Sequence, residues 1–259
     1  MAIRRGDAAA VALLVALPAL VFGVPAVLGH PVLPGDDLTQ NFPLRVLAGR
    51  ELRAGHLPLY NPYLWGGAPL LAGWNAGAAY PLTFAFAVLP PAAAWTLNMI
   101  ATWAAAGLGL YCFLRALRLA SLPALLGALS FAFAGAMSAQ VAHFGLVAGL
   151  SWVPWQLLAV AKLTEARRTA ERLPWAGALA GAFGLTILAG EPRAIADAVV
   201  IVVIYAAWRV ARLGRDRRRS PAALGIAGGL VLGMCLGAIQ WLPGIAVIGG
   251  SQRGASSVV

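Results

Sequence analysis

Apolar residues occur along this chain in runs of about 17 to 25 residues, separated by short polar segments. A helix of that length crosses the hydrocarbon core of a bilayer. The pattern predicts an all-α integral membrane protein, a polytopic bundle of about seven transmembrane helices in a single domain over residues 1–259. The predicted spans lie at about 8–28, 93–114, 119–138, 145–162, 173–190, 194–211 and 222–242.

Two apolar stretches need separate treatment. The first run follows Arg4 and Arg5 as a secretory signal would, but its core is longer than a signal core and contains prolines, so we interpret it as a retained first helix. The stretch "PLTFAFAVL" at 81–89 is too short to span. It is expected to lie in the membrane interface or to re-enter from one side.

Composition supports the membrane assignment. Hydrophobic residues make up 61% of the 259 residues and charged residues 11%, whereas soluble domains average about 25% charged residues. Cys112 and Cys235 both fall within apolar segments, which indicates neither a disulfide framework nor a thiolate metal site.

The distribution of basic residues predicts the orientation. With a cytoplasmic N-terminus, 14 of the 19 Lys and Arg residues lie on the inner side, as the positive-inside rule requires. The predicted location is therefore the cytoplasmic (inner) membrane, with several passes. The basic run "RLGRDRRRS" at 212–220 is then a short inner loop. It lacks the aromatic interleaving or folded basic domain of a nucleic-acid site, so no nucleic-acid partner is expected.

Residues 29–80 form one long loop on the predicted outer side. Loops of this length are usually functional or disordered, and the aromatic and leucine content of this one argues against disorder. A possible cap at Thr39 or Asn41, a proline in the first turn and Gly55 as a stop predict a short helix over 40–54. We expect that helix to lie along the membrane surface.

The loop and several later segments resemble one family. "DDLTQNFPLRVLAGRELRAGHLPLYNPYLWGGAPLLAGWNAGAAYPL" at 36–82 is similar to the first extracytoplasmic loop of the YfhO-type family of bacterial membrane proteins, with its "G-x-LP-x-(W/Y)-NP", "GG-x-PL" and "YPL" elements. Further similar segments are "SFAFAGAMSAQVAH" at 130–143, "LAGEPRA" at 188–194, and "GAIQWLPGI" with "SQRG" within 237–254. The family more often has His at the position of Glu191.

The resemblance implies a GT-C fold and a sugar transferase. Such proteins have a catalytic carboxylate in the first outer loop and a polyprenyl-phosphate sugar as donor, so the implied acceptor is an extracytoplasmic glycan, lipid or protein. Members are much longer, and this chain resembles their N-terminal portion. Asp36 matches the family spacing to Gln40 and Pro43 slightly better than Asp37 does.

The chemistry of the adjacent carboxylates agrees with that implication. Transfer of a sugar from a lipid phosphate needs a base to accept the proton of the acceptor hydroxyl. Asp36 and Asp37 are also expected to raise each other's proton affinity. The alternative is that "PGDD" is a turn and helix cap after a transmembrane segment. A divalent cation is possible, because hard cations take oxygen ligands, but the sequence shows no metal-ligand spacing.

Other outer residues are candidates for substrate binding. Arg193 and Glu191, in an outward-facing turn, are two of them. Arg193 could hold the donor phosphate through its planar fork, or it could pair with Glu191 or Asp197 and close the turn. His143 lies in an outer turn and is either a substrate contact or a structural histidine. The remaining candidates are polar and aromatic residues of the loop that could contact sugar or belong to an interfacial belt: Gln40, Tyr60, Asn61 and Trp65.

Two other classes of function stay open on the sequence. A transporter or lipid flippase needs polar groups along a path near the bilayer midplane and broken helices in matching halves. The chain has few central charges and no clear internal repeat. A non-catalytic membrane scaffold is the other alternative.

Overall fold

The computed structural model describes residues 5–64, 66–214 and 219–249, and most of them are helical. A small antiparallel hairpin in the loop pairs β1 (Tyr60–Asn61) with β2 (Ala68–Pro69). The helices are α1 (Arg5–Pro18), α2 (Val24–Val27), α3 (Phe42–Arg53), α4 (Ala85–Val88), α5 (Pro91–Ala116), α6 (Ser121–Phe133), α7 (Ala136–Ala139), α8 (Phe144–Leu150), α9 (Val153–Glu165), α10 (Thr169–Leu188), α11 (Pro192–Arg212), α12 (Arg219–Leu236) and α13 (Ala238–Gly249).

Six helical stretches of the described chain are long and apolar enough to cross a membrane. They confirm the prediction of an all-α bundle and indicate a multi-pass membrane protein. The six stretches are Gly6–Val27, Pro91–Ala116, Ser121–Ala139, Phe144–Glu165, Pro192–Arg212 and Arg219–Leu236.

The span expected at 173–190 corresponds to helix α10, which packs against α9 and α12; it has Glu171 and Arg172 in its first turn and is not one of the six stretches. The structure differs from the predicted spans near residue 237. The span expected at 222–242 ends at Leu236, and α13 starts after Gly237. A β-carbon at Gly237 would lie 2.5 Å from Ile187 Cγ2, so α10 approaches the chain closely at this break.

Two π-helical turns, Ala19–Gly23 and Asp37–Asn41, interrupt the helical segments. Each is followed, two residues later, by a proline: Pro25 after the first and Pro43 after the second. In a regular α-helix the proline ring clashes with the carbonyl of the residue four positions earlier. The wider π turn relieves that clash, and π turns are frequent at functional sites.

The largest apolar core lies beneath the loop and fastens it to the bundle. The ring of Trp95, on α5, packs against Phe42 of α3 and Phe144 of α8, with centroids 5.8 Å and 5.0 Å away. Trp95 Nε1 donates to the carbonyl of Val32 at 2.8 Å. The loop is therefore packed on the helix ends, and we call this end of the bundle the loop end.

The helix predicted at 40–54 is confirmed as α3. It packs against the 81–89 stretch, which forms a 3₁₀ turn over Pro81–Phe84 followed by α4. A β-carbon at Gly49 would lie 2.4 Å from Phe86 Cβ, so this contact requires glycine. Arg53 Nε donates to the carbonyl of Ala87 at 2.7 Å, closing the far end of the contact.

Candidate active site

Three polar residues at intervals of four lie on the buried side of the loop helix. Asp37 and Arg45 are fully buried and Asn41 nearly so. Because residues four apart lie on one face of a helix, the three form a polar stripe that faces the bundle. Neither Asn41 nor Arg45 was predicted as a site residue, although this spacing is visible in the sequence.

Asp37 joins the loop to the start of α8. Its Oδ1 accepts hydrogen bonds from Asn41 Nδ2 at 2.8 Å and from the backbone N–H of Phe144 at 3.0 Å. Its Oδ2 is buried and has no hydrogen-bond partner among the described residues. Asp37 thus acts as a cap for α8, a helix more than 100 residues away in the chain, and not for its own helix.

Burial raises the pKa of Asp37 from 3.8 to about 6, against the opposing effects of its two hydrogen bonds and of the charges of Arg45 and His143. Desolvation disfavours the ionised form of a carboxyl group. The sequence predicted a raised proton affinity from repulsion between the adjacent aspartates. For Asp37 the cause is burial.

Arg45 is the other charge enclosed at the loop end. Its guanidinium donates to Thr83 Oγ1 and, at 3.5 Å, to the carbonyl of Ala189. It also lies over the rings of Phe144 and Tyr80, at 4.8 Å and 5.9 Å from their centroids. Burial lowers the pKa of Arg45 to about 10, a value at which the group stays charged at neutral pH.

Asp36 points the opposite way from its neighbour. Its side chain is 60% exposed, and its Oδ2 lies 3.5 Å from Nε2 of His143, the residue that immediately precedes α8. The other ring nitrogen of His143, Nδ1, is buried without a hydrogen-bond partner in the described chain. The structure therefore brings three of the predicted site residues together: Asp36, Asp37 and His143.

Glu191 and Arg193 lie in the turn before α11. Glu191 Oε1 accepts from the backbone N–H of Arg193 at 3.3 Å and lies 3.5 Å from its Nε, so the pair closes the turn. Gly190, with φ +83°, lies so close to the loop that a β-carbon would be 2.2 Å from the carbonyl oxygen of Trp74. A β-carbon on Gly145 would lie 3.3 Å from Glu191 Cβ. This turn thus packs on the same start of α8 that Asp37 binds.

A groove of about 730 Å³ runs along α3 and is mostly apolar. Two predicted residues, Gln40 and Asn61, line it together with Thr39, Leu47 and Arg50, and we call it the loop groove. Neither Asp36 nor Asp37 lines the loop groove. Gln40, which lines the groove, lies four residues after Asp36 in the chain.

The remaining predicted residues have local roles or lie outside the description. Tyr60 is half exposed on β1, and its hydroxyl donates to the carbonyl of Gly66 at 3.3 Å. Asn61 Oδ1 accepts from the backbone N–H of Tyr63 at 2.9 Å. Trp65 lies outside the described residues.

Within residues 5–64, 66–214 and 219–249, no group of three or more His, Cys, Asp or Glu side chains is arranged to hold a metal ion. Asp36 and His143 would supply only two ligands. Comparison of the chain with protein-family models, curated proteins and solved structures finds no match. The case for function therefore depends on the loop end and on the sequence motifs.

Proposed function

We propose that the chain is a membrane glycosyltransferase of the GT-C type, or the helical part of one. It transfers a sugar from a polyprenyl-phosphate donor to a glycan, lipid or protein outside the cytoplasmic membrane. The observation that carries the proposal is the exposed carboxylate of Asp36, 3.5 Å from His143, in a loop that is packed on the ends of the helices. The resemblance of the loop segments to the YfhO-type family is the ground for the reaction class.

In this proposal the two aspartates have separate roles. Asp36 is the general base, because an acceptor hydroxyl can reach an exposed carboxylate. Asp37 is a positioning residue: both hydrogen bonds of its Oδ1 are internal, and it holds the π turn against the start of α8. Since α8 begins next to His143, the same contact sets the separation of His143 and Asp36.

The proposed step is a single displacement at the anomeric carbon. The acceptor oxygen forms a bond to that carbon as Asp36 takes the hydroxyl proton. The bond between the carbon and the phosphate oxygen breaks, and the polyprenyl phosphate leaves with the electron pair. Positive charge develops at the sugar, as in other glycosyl transfers. His143, 3.5 Å from the carboxylate, is the neighbour that orients it in this proposal.

The loop groove is the proposed donor site. Its leucine and phenylalanine side chains suit a prenyl chain, and Arg50 at its wall offers a planar, permanently charged partner for phosphate. Arg193 was the sequence-based candidate for that contact. It is 58% exposed but is engaged by Glu191, so we assign it a secondary role in phosphate binding.

The test is sugar transfer in membranes that carry the chain, with a panel of labelled polyprenyl-phosphate hexoses. We expect Asp36→Asn to lower transfer by about 10² to 10⁴-fold, the usual contribution of a general base. Asp197→Asn is the charge-matched control, because it makes the same charge change on α11, outside the loop. Protein level and donor retention are measured in parallel.

Two results would count against the proposal. One is transfer by Asp36→Asn at the level of Asp197→Asn. The other is the absence of transfer from every donor by the unmodified chain.

A further inference from the structure

A second cavity, of about 510 Å³, opens at the end of the bundle opposite the loop. Its walls come from the turn after α5, the end of α9 and the end of α11. Four arginines line it, namely Arg118, Arg167, Arg209 and Arg212, and Glu165 is its one acidic lining residue in the described chain. We call it the arginine cavity. The positive-inside rule assigns this end to the cytoplasm.

The acidic residue is already neutralised by its own partners. Glu165 lies 2.9 Å from Lys162 Nζ and 3.4 Å from Arg209 Nη2. Arg209 also donates to Thr164 Oγ1 at 2.9 Å and to the carbonyl of Ala161 at 3.0 Å, so it is a fixed part of the wall.

Within the described chain, the other three guanidinium groups have no such counter-charge: no carboxylate of residues 5–64, 66–214 or 219–249 forms an ion pair with Arg118, Arg167 or Arg212. Three cations from three different elements, none with a carboxylate partner among the described residues, therefore converge on one concavity. An anion would stabilise this arrangement.

Arg118 occupies a backbone position that favours glycine. Its φ is +69°, directly after the last turn of α5, where Leu119 N–H bonds back to the carbonyl of Leu114 at 3.2 Å. Helices commonly end in this way with glycine, because a β-carbon is strained there. Local structure therefore does not explain an arginine at 118, whereas a role for its side chain in the cavity does.

The cavity also has an apolar wall. The indole of Trp208 is 49% exposed, and the guanidinium of Arg212 lies over it at 5.0 Å from the ring centroid. Tryptophan in this position is typical of the membrane interface. A ligand here would meet both a cationic surface and an aromatic ring.

We propose that the arginine cavity binds a phosphate group, carried either by an anionic lipid headgroup or by a soluble phosphate. Guanidinium forks bind phosphate oxygens in pairs, and basic pockets between helices at the cytoplasmic side are typical sites for anionic lipid headgroups. This site lies at the opposite end from Asp36 and is independent of the proposed glycosyl transfer. If these arginines served only to orient the chain in the membrane, substitution of any arginine at this end would have the same effect on ligand binding.

Lipid binding by the purified full chain tests the site, with native mass spectrometry in detergent as the readout. The probes are phosphatidylglycerol, phosphatidylcholine as the zwitterionic reference, and inorganic phosphate followed by thermal stabilisation. The variants are Arg118→Gly and Arg212→Gln. Arg118→Gly removes the charge while relieving the backbone, so reduced binding by this variant cannot be ascribed to a damaged helix end. Arg168→Gln, an exposed neighbour that does not line the cavity, is the matched control.

We expect preferential retention of phosphatidylglycerol, lowered about fivefold by each cavity variant and unchanged in the control. Stabilisation by inorganic phosphate that depends on Arg118, without lipid selectivity, would support the site and identify its ligand as a soluble phosphate. Equal losses in Arg168→Gln and the cavity variants would overturn the proposal. The proposal would also be overturned if the cavity variants bound phosphatidylglycerol, and were stabilised by inorganic phosphate, to the same extent as the unmodified chain.

Discussion

Replacement of Asp37 by asparagine should change the pH dependence of stability in a direction that the burial of this carboxyl group determines. The folded chain holds the pKa of Asp37 at about 6, above the ordinary value of 3.8. An acid whose pKa is raised on folding is destabilising where it is ionised. The cost is absent below pH 3.8, grows as the pH rises towards 6, and is complete above it.

The magnitude follows from the two pKa values. Their separation corresponds to about 3 kcal/mol at neutral pH, from about 1.4 kcal/mol per pKa unit, and to about 1 kcal/mol at pH 4.5. Asp37→Asn abolishes this cost but also weakens the hydrogen bonds from Asn41 and Phe144, by an amount that does not depend on pH. The stability of the variant relative to the unmodified chain should therefore be greater at pH 7.5 than at pH 4.5 by about 2 kcal/mol.

Thermal unfolding in detergent, followed by tryptophan fluorescence, measures this difference. For a chain of this size 2 kcal/mol corresponds to about 4 to 8 °C in Tm. Asp36→Asn is the control, because it removes the adjacent but exposed carboxylate and should change Tm little at either pH. A Tm difference between Asp37→Asn and the unmodified chain that is the same at both pH values would refute the assignment of Asp37 as a buried, desolvated acid.

Two further predictions concern the loop end and the orientation. Arg45→Met removes two hydrogen bonds and the positive charge that lowers the pKa of Asp37, so we expect a loss of about 3 kcal/mol at pH 7.5 and a smaller loss below pH 6. If the same Tm assay shows equal losses at pH 7.5 and below pH 6, the charge of Arg45 does not act on Asp37. For the orientation, His56→Cys and Asp216→Cys are compared in a chain that lacks Cys112 and Cys235. Residue 216 lies outside the described residues. An impermeant thiol reagent applied to intact cells should label position 56 and not position 216, and the reverse pattern would exclude an outer loop at 29–80.

Much of the helical architecture is determined locally and was predictable. A run of about 20 apolar residues has few alternatives to a buried helix, because its backbone must satisfy its own hydrogen bonds in lipid. Helix α3 was predicted for similar reasons, from a proline in its first turn and a glycine at its end. The first run was predicted as a retained helix, and the two prolines within it, Pro18 and Pro25, flank the π turn over Ala19–Gly23.

The break at Gly237 was not predicted. The sequence there continues to be apolar, so its pattern extends the span to residue 242. Ile187, 50 residues earlier in the chain, lies close to Gly237 at this break, and such a contact cannot be read from the local sequence.

The sequence determined that two carboxylates stand at the start of the loop. The tertiary structure decided that one of them is buried and the other exposed. Adjacent residues on a helix project about 100° apart, so one of the pair can be enclosed while the other is exposed. Asp37 is enclosed because its partner, the N–H of Phe144, comes from a distant helix, and Arg45 is enclosed for the same reason by Thr83 and Ala189. The burial of a charge depends on partners that the local sequence does not contain, and these partners converge only when the helices pack.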